Sequence, residues 1–270
     1  MKSILLHVAD DPGFEGRLQA ALDLARAFSG HLHGLQPRRI PAYFGADAAG
    51  FGAGAALVAE LIDQEAKLAQ ALRERLEARL AHEDVPFTIA EAVGEPAEML
   101  IQAASLQDLV VMSLAKAGHA PQAAVPEVVV RADTPVLAIP QGHMGFDPGR
   151  PALVAWKPTV ESAKAVRAAV PLLARAASVT ILVVDPGDET DLPPTEAARY
   201  LSRHGVRAEM AVRQSGSMKV ADTLIAAARE LEAGVLVMGA YSRSRTIQFL
   251  MGGVTRDFLE QAPLPLFMVH

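Results

Sequence analysis

Val235-Leu236-Val237-Met238 runs straight into Gly239, and the chain continues Ala240-Tyr241-Ser242-Arg243-Ser244-Arg245-Thr246-Ile247-Gln248-Phe249-Leu250-Met251-Gly252-Gly253-Val254-Thr255. Four consecutive apolar residues stopped by a glycine imply a strand covered on both faces, as in a parallel sheet flanked by helices. Gly252-Gly253 then opens a helix-like stretch from Val254 to Glu260. The order is strand, loop, helix. In an open parallel sheet, ligands sit outside the carboxyl ends of the strands. Glycine there lets backbone approach a ligand closely. The free N–H groups and positive dipole end of the following helix favour an anion such as phosphate.

Working outward, the same arrangement occurs earlier in the chain. Leu109-Val110-Val111-Met112 matches Val235 to Met238, and Ile4-Leu5-Leu6-His7-Val8 matches Ala152-Leu153-Val154-Ala155-Trp156. Residues 22–36 match 170–185, each a helix end carrying Ala-Arg-Ala, a small-residue turn and a strand. Ala92-Val93-Gly94-Glu95-Pro96 has its counterpart in Arg213-Gln214-Ser215-Gly216-Ser217, and Thr134 to Ile139 in Leu264 to Val269. Each half therefore reads β-α-β-α-β-α-β-α-β. Right-handed crossovers make this a doubly wound parallel α/β sheet of five strands. The expected units are residues 1–141 and 151–270, joined by the Gly/Pro-rich Gln141 to Pro151.

The offsets locate a difference between the halves. Leu5 to Leu153 is 148 residues and Met112 to Met238 is 126, so the first half has about 22 extra residues before its fourth strand. That excess is expected at 37–56, including the Gly/Ala-rich run 45–56. Pro135 to Pro265 is 130, which removes about one helical turn from the first half where the second carries its glycine motif. The first-half counterpart, Ser113-Leu114-Ala115-Lys116-Ala117-Gly118-His119-Ala120-Pro121, lacks both the spacing and the glycine pair.

Composition bounds the function. At 270 residues and 51% apolar content the chain has material for two cored domains. A net charge of −6 argues against general nucleic-acid binding. With no cysteine, disulfides, thiolate metal sites and Cys nucleophiles are excluded. No apolar run reaches membrane-spanning length and no signal-peptide pattern is evident, so a cytoplasmic protein without membrane contact is expected.

The glycine motif resembles that of the universal stress protein family, whose ATP-binding members carry Gly-x2-Gly-x9-Gly-(Ser/Thr) after the fourth strand of a small five-stranded α/β domain. Here Gly239 and Gly252 keep their places, Ser242 stands for the second glycine and Gly253 for Ser/Thr. With the repeat, the likeness covers the chain apart from 37–56. It implies a tandem stress-response binding protein whose halves pack as a pseudo-dimer through antiparallel last strands. It also implies ATP or another adenine nucleotide, with or without Mg, bound by the second half. The site residues this implies are Gly239, Ser242, Gly252, Gly253, Val254 and Thr255 around the phosphates, with the base toward Ala155, Trp156, Val183 and Val184. The family's strand-end Asp has Ala9 and Lys157 at the matching positions.

No Ser/His/Asp or paired-carboxylate pattern stands out, so no catalytic residue is assigned; the resemblance implies that any ATP hydrolysis is slow and secondary. Other motifs read as structural. Gly50-Phe51-Gly52-Ala53-Gly54-Ala55 matches a dinucleotide fingerprint without its βαβ context and reads as a loop. No P-loop is present. His31 and His33 share a strand face but nothing nearby completes a metal site. Glu60 to Glu83 reads as a solvated amphipathic helix with apolar positions at Leu61, Leu68, Leu72 and Leu76. The alternative function is a nucleotide-free interaction protein that meets a partner through 37–56; an adenylating enzyme ranks below it, lacking an SGGxDS-like loop. A homodimer through the opposite faces or through 37–56 is a further expectation.

Overall fold

The computed structural model describes residues 1–38, 52–114, 124–185, 192–241 and 253–270, with side chains in 52–58 excepted. The first half runs β1 (Ser3–His7), α1 (Phe14–Phe28), β2 (His31–Arg38), α2 (Gly52–Leu80), β3 (Phe87–Val93), α3 (Pro96–Ala104), β4 (Leu109–Ser113), α4 (Ala124–Arg131) and β5 (Val136–Ile139). The second half repeats it as β6 (Ala152–Ala155), α5 (Val160–Leu173), β7 (Val179–Val184), α6 (Pro194–Arg203), β8 (Glu209–Arg213), α7 (Val220–Glu230), β9 (Val235–Gly239), α8 (Gly253–Gln261) and β10 (Leu266–Val269).

The ten strands among the described residues form one sheet, in the order β3-β2-β1-β4-β5-β10-β9-β6-β7-β8. Within each half every pairing is parallel. The exception is the seam, where β10 meets β5 antiparallel with Phe267 opposite Leu137. The last strand of each five-stranded sheet would otherwise present unpaired backbone groups, and each half supplies the partner the other needs. Because side chains alternate along strands, Leu137, Ile139 and Phe267 join the core under α1, α2, α5 and α6. Val136, Ala138, Leu266 and Met268 join the one under α3, α4, α7 and α8. Both core layers are therefore continuous across the two halves.

Gln141 to Pro151 is pinned to both halves. Phe146 is buried. Its backbone N–H donates to Asp23 Oδ2 at 2.9 Å, and Arg150 donates to the Glu232 carbonyl at 2.8 Å. Gly16 on α1 faces the carbonyl oxygen of His143, which a Cβ would approach to 2.2 Å.

Two expectations change. The strands are not all buried apolar runs: β3 and β8, at the two ends of the sheet, leave Val93, Met210 and Val212 more than half exposed. They have a neighbour on one side only, so their residues need not all be apolar. The extra residues of the first half are largely helix, since α2 has 29 residues against 10 in α6. It begins at Gly52, so 52–55 of the fingerprint-like string is helical rather than a loop; 39–51 lie outside the described residues. Leu72, Leu76 and Leu80 form the buried stripe of α2, whereas Leu61 and Leu68 are exposed.

Candidate functional site

In each half the strand order reverses beside the first strand: β1 lies between β2 and β4, and β6 between β7 and β9. The crevice outside the carboxyl ends of these strands is where an open α/β sheet takes a ligand. The halves furnish that crevice differently. Helices α1 and α5 share a burial pattern in which Phe14, Arg17, Leu18 and Ala21 correspond to Ser162, Ala165, Val166 and Ala169. The Val8 N–H donates to the Leu35 carbonyl as Trp156 donates to Leu182, which equates Gln36 with Val183. His7, Arg17, Gln36 and Ser113 in the first half thus stand where the second has Ala155, Ala165, Val183 and Gly239.

In the second half, β9 ends at Gly239, whose neighbour is the first turn of α5. A Cβ there would lie 2.5 Å from the Ser162 backbone nitrogen and 2.6 Å from the Glu161 carbonyl carbon. Packing alone therefore demands glycine at this position. Tyr241, two residues on, is buried and held at φ 62, a left-handed conformation that costs a non-glycine residue about 1–2 kcal/mol. Burial pushes its phenol up to about 12. Gly253 begins α8, and among the described residues nothing lies within 4 Å of a Cβ position there, in contrast to Gly239. Thr255 is buried and Val254 packs against the core layer that includes Ala155 and Val184. Trp156 and Val183 belong to the opposite layer, beneath α5 and α6. The Trp156 indole N–H is buried and finds no acceptor among the described residues. The described positions are thus distributed over both faces of the sheet, and Ser242 and Gly252 lie outside the described residues.

In the first half, Arg17 fills the crossing point. Its side chain is fully buried. Its Nε donates to the His7 carbonyl and Nη2 to the Ala9 carbonyl, both at 2.7 Å. Nη1 donates to Asp11 Oδ1 at 2.7 Å and to Ser113 Oγ at 2.9 Å. The Ser113 hydroxyl in turn donates to the Gly13 carbonyl at 3.0 Å. Burial works against the guanidinium charge and Asp11 restores it. Beside this network lies a cleft of about 310 Å³, floored by His7, Gln36 and Met112 and walled by Leu68, Ala69 and Leu72 of α2. The polarity of this half was the signal that motif reading missed: Arg17 and Gln36 fall at positions where their neighbours in sequence are core.

His7 is held neutral, its pKa pushed down to about 3 by burial first and by Arg17 second, with Asp11 opposing. Below pH 6.5 the unfolded chain takes up a proton that the folded chain refuses. Stability from this group is therefore complete above 6.5 and falls as the pH drops toward 3, by roughly 1 kcal/mol per pH unit. Burial also lowers His33 and His143, which adds to the same trend. Urea unfolding of wild type and His7→Gln at pH 7.5, 6.0 and 5.0 is expected to show the variant losing clearly less stability on acidification.

The remaining histidine pair makes ordinary contacts: His31 Nε2 lies 3.1 Å from Thr88 Oγ1 and His33 Nδ1 lies 3.4 Å from Gln107 Nε2. Among the described residues no three His, Asp or Glu side chains gather as a metal site. No described helix is long and apolar enough to cross a membrane.

Known proteins share this fold. Residues 149–270 match the sequence model of the universal stress protein family. A universal stress protein from Archaeoglobus fulgidus aligns with 99% of this chain and 96% of its own, at 13% identity and a TM-score of 0.77. A putative universal stress protein from Pseudomonas aeruginosa aligns with 100% of this chain and 93% of its own, at 17% identity and a TM-score of 0.58. A universal stress protein from Archaeoglobus fulgidus in complex with dAMP aligns with 45% of this chain and 98% of its own, at 21% identity and a TM-score of 0.35. No curated protein matches the sequence.

Proposed function

We propose that this chain, a universal stress protein by its second half and a tandem of the same fold by its first, is a binding protein that takes an adenine nucleotide in the second half. We read the two units as residues 1–141 and 151–270. The observation that carries the proposal is the contrast at the crossing point. Arg17 spans it in the first half; Ala155, Ala165 and Gly239 put only small groups there in the second. Gly253 opens α8 with no described residue crowding it, so the free N–H groups of the first turn would be open to a phosphate. Among the described residues nothing packs where a side chain at 253 would stand, which supports ligand approach as the reason for glycine there. The phosphates would lie over Gly239, Gly252, Gly253 and Val254, with the base toward Ala155 and Val184.

The role is binding rather than turnover. A cytoplasmic location and a function in stress adaptation go with this reading. The seam already satisfies the edge that single domains would use to dimerise, so a homodimer or a protein partner would need another surface.

Calorimetric titration with ATP and ADP tests the proposal. Wild type is expected to bind, and Gly253→Val to bind at least tenfold more weakly at unchanged melting temperature, because the added side chain enters open space. Ala165→Arg, which copies the first half, is expected to abolish binding. No binding by wild type at millimolar nucleotide would favour the nucleotide-free interaction protein instead.

A further inference from the structure

The first half holds a buried acceptor with nothing to accept. Gln36 is 3% exposed. Its Nε2 donates to the Ala69 carbonyl of α2 at 3.0 Å. That contact fixes the amide, since the reversed orientation would set two oxygens against each other. Oε1 is thereby turned away from α2's carbonyl, is buried, and finds no donor among the described residues. Gln36 lines the 310 Å³ cleft between β1, β2, β4 and α2. A buried amide oxygen without a donor keeps its full desolvation penalty, so its retention at a position where the second half has Val183 calls for a reason.

We propose that this cleft is a binding site for a small uncharged molecule that carries an N–H or O–H donor for Gln36 Oε1 and an apolar body. The walls suit such a body: Val8, Leu72, Pro96, Met112 and Val125 are apolar, and exposed Leu68 stands at the mouth. The charges do not suit a nucleotide. Among the lining groups the guanidiniums are engaged, Arg17 with Asp11 at 2.7 Å and Arg38 with Glu91 at 3.3 Å. Asp10 pairs with Arg75 at 3.0 Å, and Glu65 adds a further carboxylate. A polyphosphate would meet carboxylates with no free cation among the described lining residues. The neutral imidazole of His7 adds one more uncharged hydrogen-bonding group to the floor. The volume lies at the small end of ligand sites, which fits a single ring with short substituents. The site stands in the other half from the nucleotide site, so neither proposal depends on the other.

Phenol and anisole are suitable probes: they share a ring, and only phenol has a donor. In amide NMR titrations of the full-length protein, phenol is expected to shift the resonances of His7, Gln36 and Ala69 and to bind about tenfold more tightly than anisole. Gln36→Leu is expected to bring phenol down to the anisole level. Ala69→Phe, which fills the cleft from the partly exposed side of α2, is expected to remove both. Unchanged phenol affinity in Gln36→Leu, equal binding of the two probes by wild type, or no shift at these amides would overturn the proposal. Shifts of the same amides with ATP would overturn the uncharged ligand class.

Discussion

Replacing Arg17 with alanine is expected to destabilise the protein by about 3 kcal/mol, the low end for breaking a buried ion pair. The low end applies because Asp11 keeps 24% of its side chain exposed, so the carboxylate left behind is partly hydrated. The loss is nonetheless large, since one guanidinium ties the ends of two strands to a helix. The His7 and Ala9 carbonyls and Ser113 Oγ all lose a charged donor at once. Arg17→Met keeps much of the buried stem and should cost less than alanine. Combining it with Asp11→Asn should recover part of that cost, because the unpaired charge goes too. Urea unfolding of the four proteins measures this. A cost for Arg17→Ala below 1 kcal/mol would show that the network is not what closes the first half.

The repeat made the architecture legible. Apolar runs such as Val235 to Met238 are decisive because a strand buried on both faces leaves little choice of residue, and two sets of five in the same order imply the same sheet twice. The antiparallel seam came from the family resemblance, and its cause lies in the edges that β5 and β10 share. The edge strands were less legible. Glu209 to Arg213 is strand by its hydrogen bonds to β7, and its side chains carry hardly any of the burial signal. The length of α2 was underestimated because Gly52, Ala53 and Gly54 read as loop residues, although helix can run through them when the rest of the element supports it. The site was legible as a motif and not as an arrangement. Spacing named Gly239 and Gly253 together, while the structure gives them different reasons: close packing against α5 for one, and open surroundings for the other. Arg17 and Gln36 carry no motif at all. Their significance arises from Ser113, His7 and Ala69, which are distant in sequence, and only the fold brings them together.

The contact between the fourth strand of each half and the start of its first helix leads to the second large effect. In the first half Ser113 carries the side chain and Gly13 does not: a Cβ on Gly13 would lie 2.6 Å from the Ser113 Cβ. In the second half the roles are exchanged. Gly239 lacks the Cβ and Glu161, the counterpart of Gly13, carries one. Each half carries one side chain at this crossing, and Gly239 meets the backbone of the α5 first turn. Gly239→Ser should therefore force the first turn of α5 off the sheet, at a cost on the order of 2–3 kcal/mol for overpacking against backbone that cannot rotate away. Glu161→Gly alone should cost under about 1 kcal/mol, since it weakens a helix turn and removes an acidic residue near the α5 N-terminus. The double variant recreates the first-half pair. It frees the turn to settle as α1 does against Ser113, so it should be more stable than Gly239→Ser by at least 1 kcal/mol. A double-mutant cycle read by urea unfolding measures the coupling. Additive costs would mean that the two halves reach their close helix–strand contact by unrelated packings, and that the glycine at 239 owes its place to something other than α5.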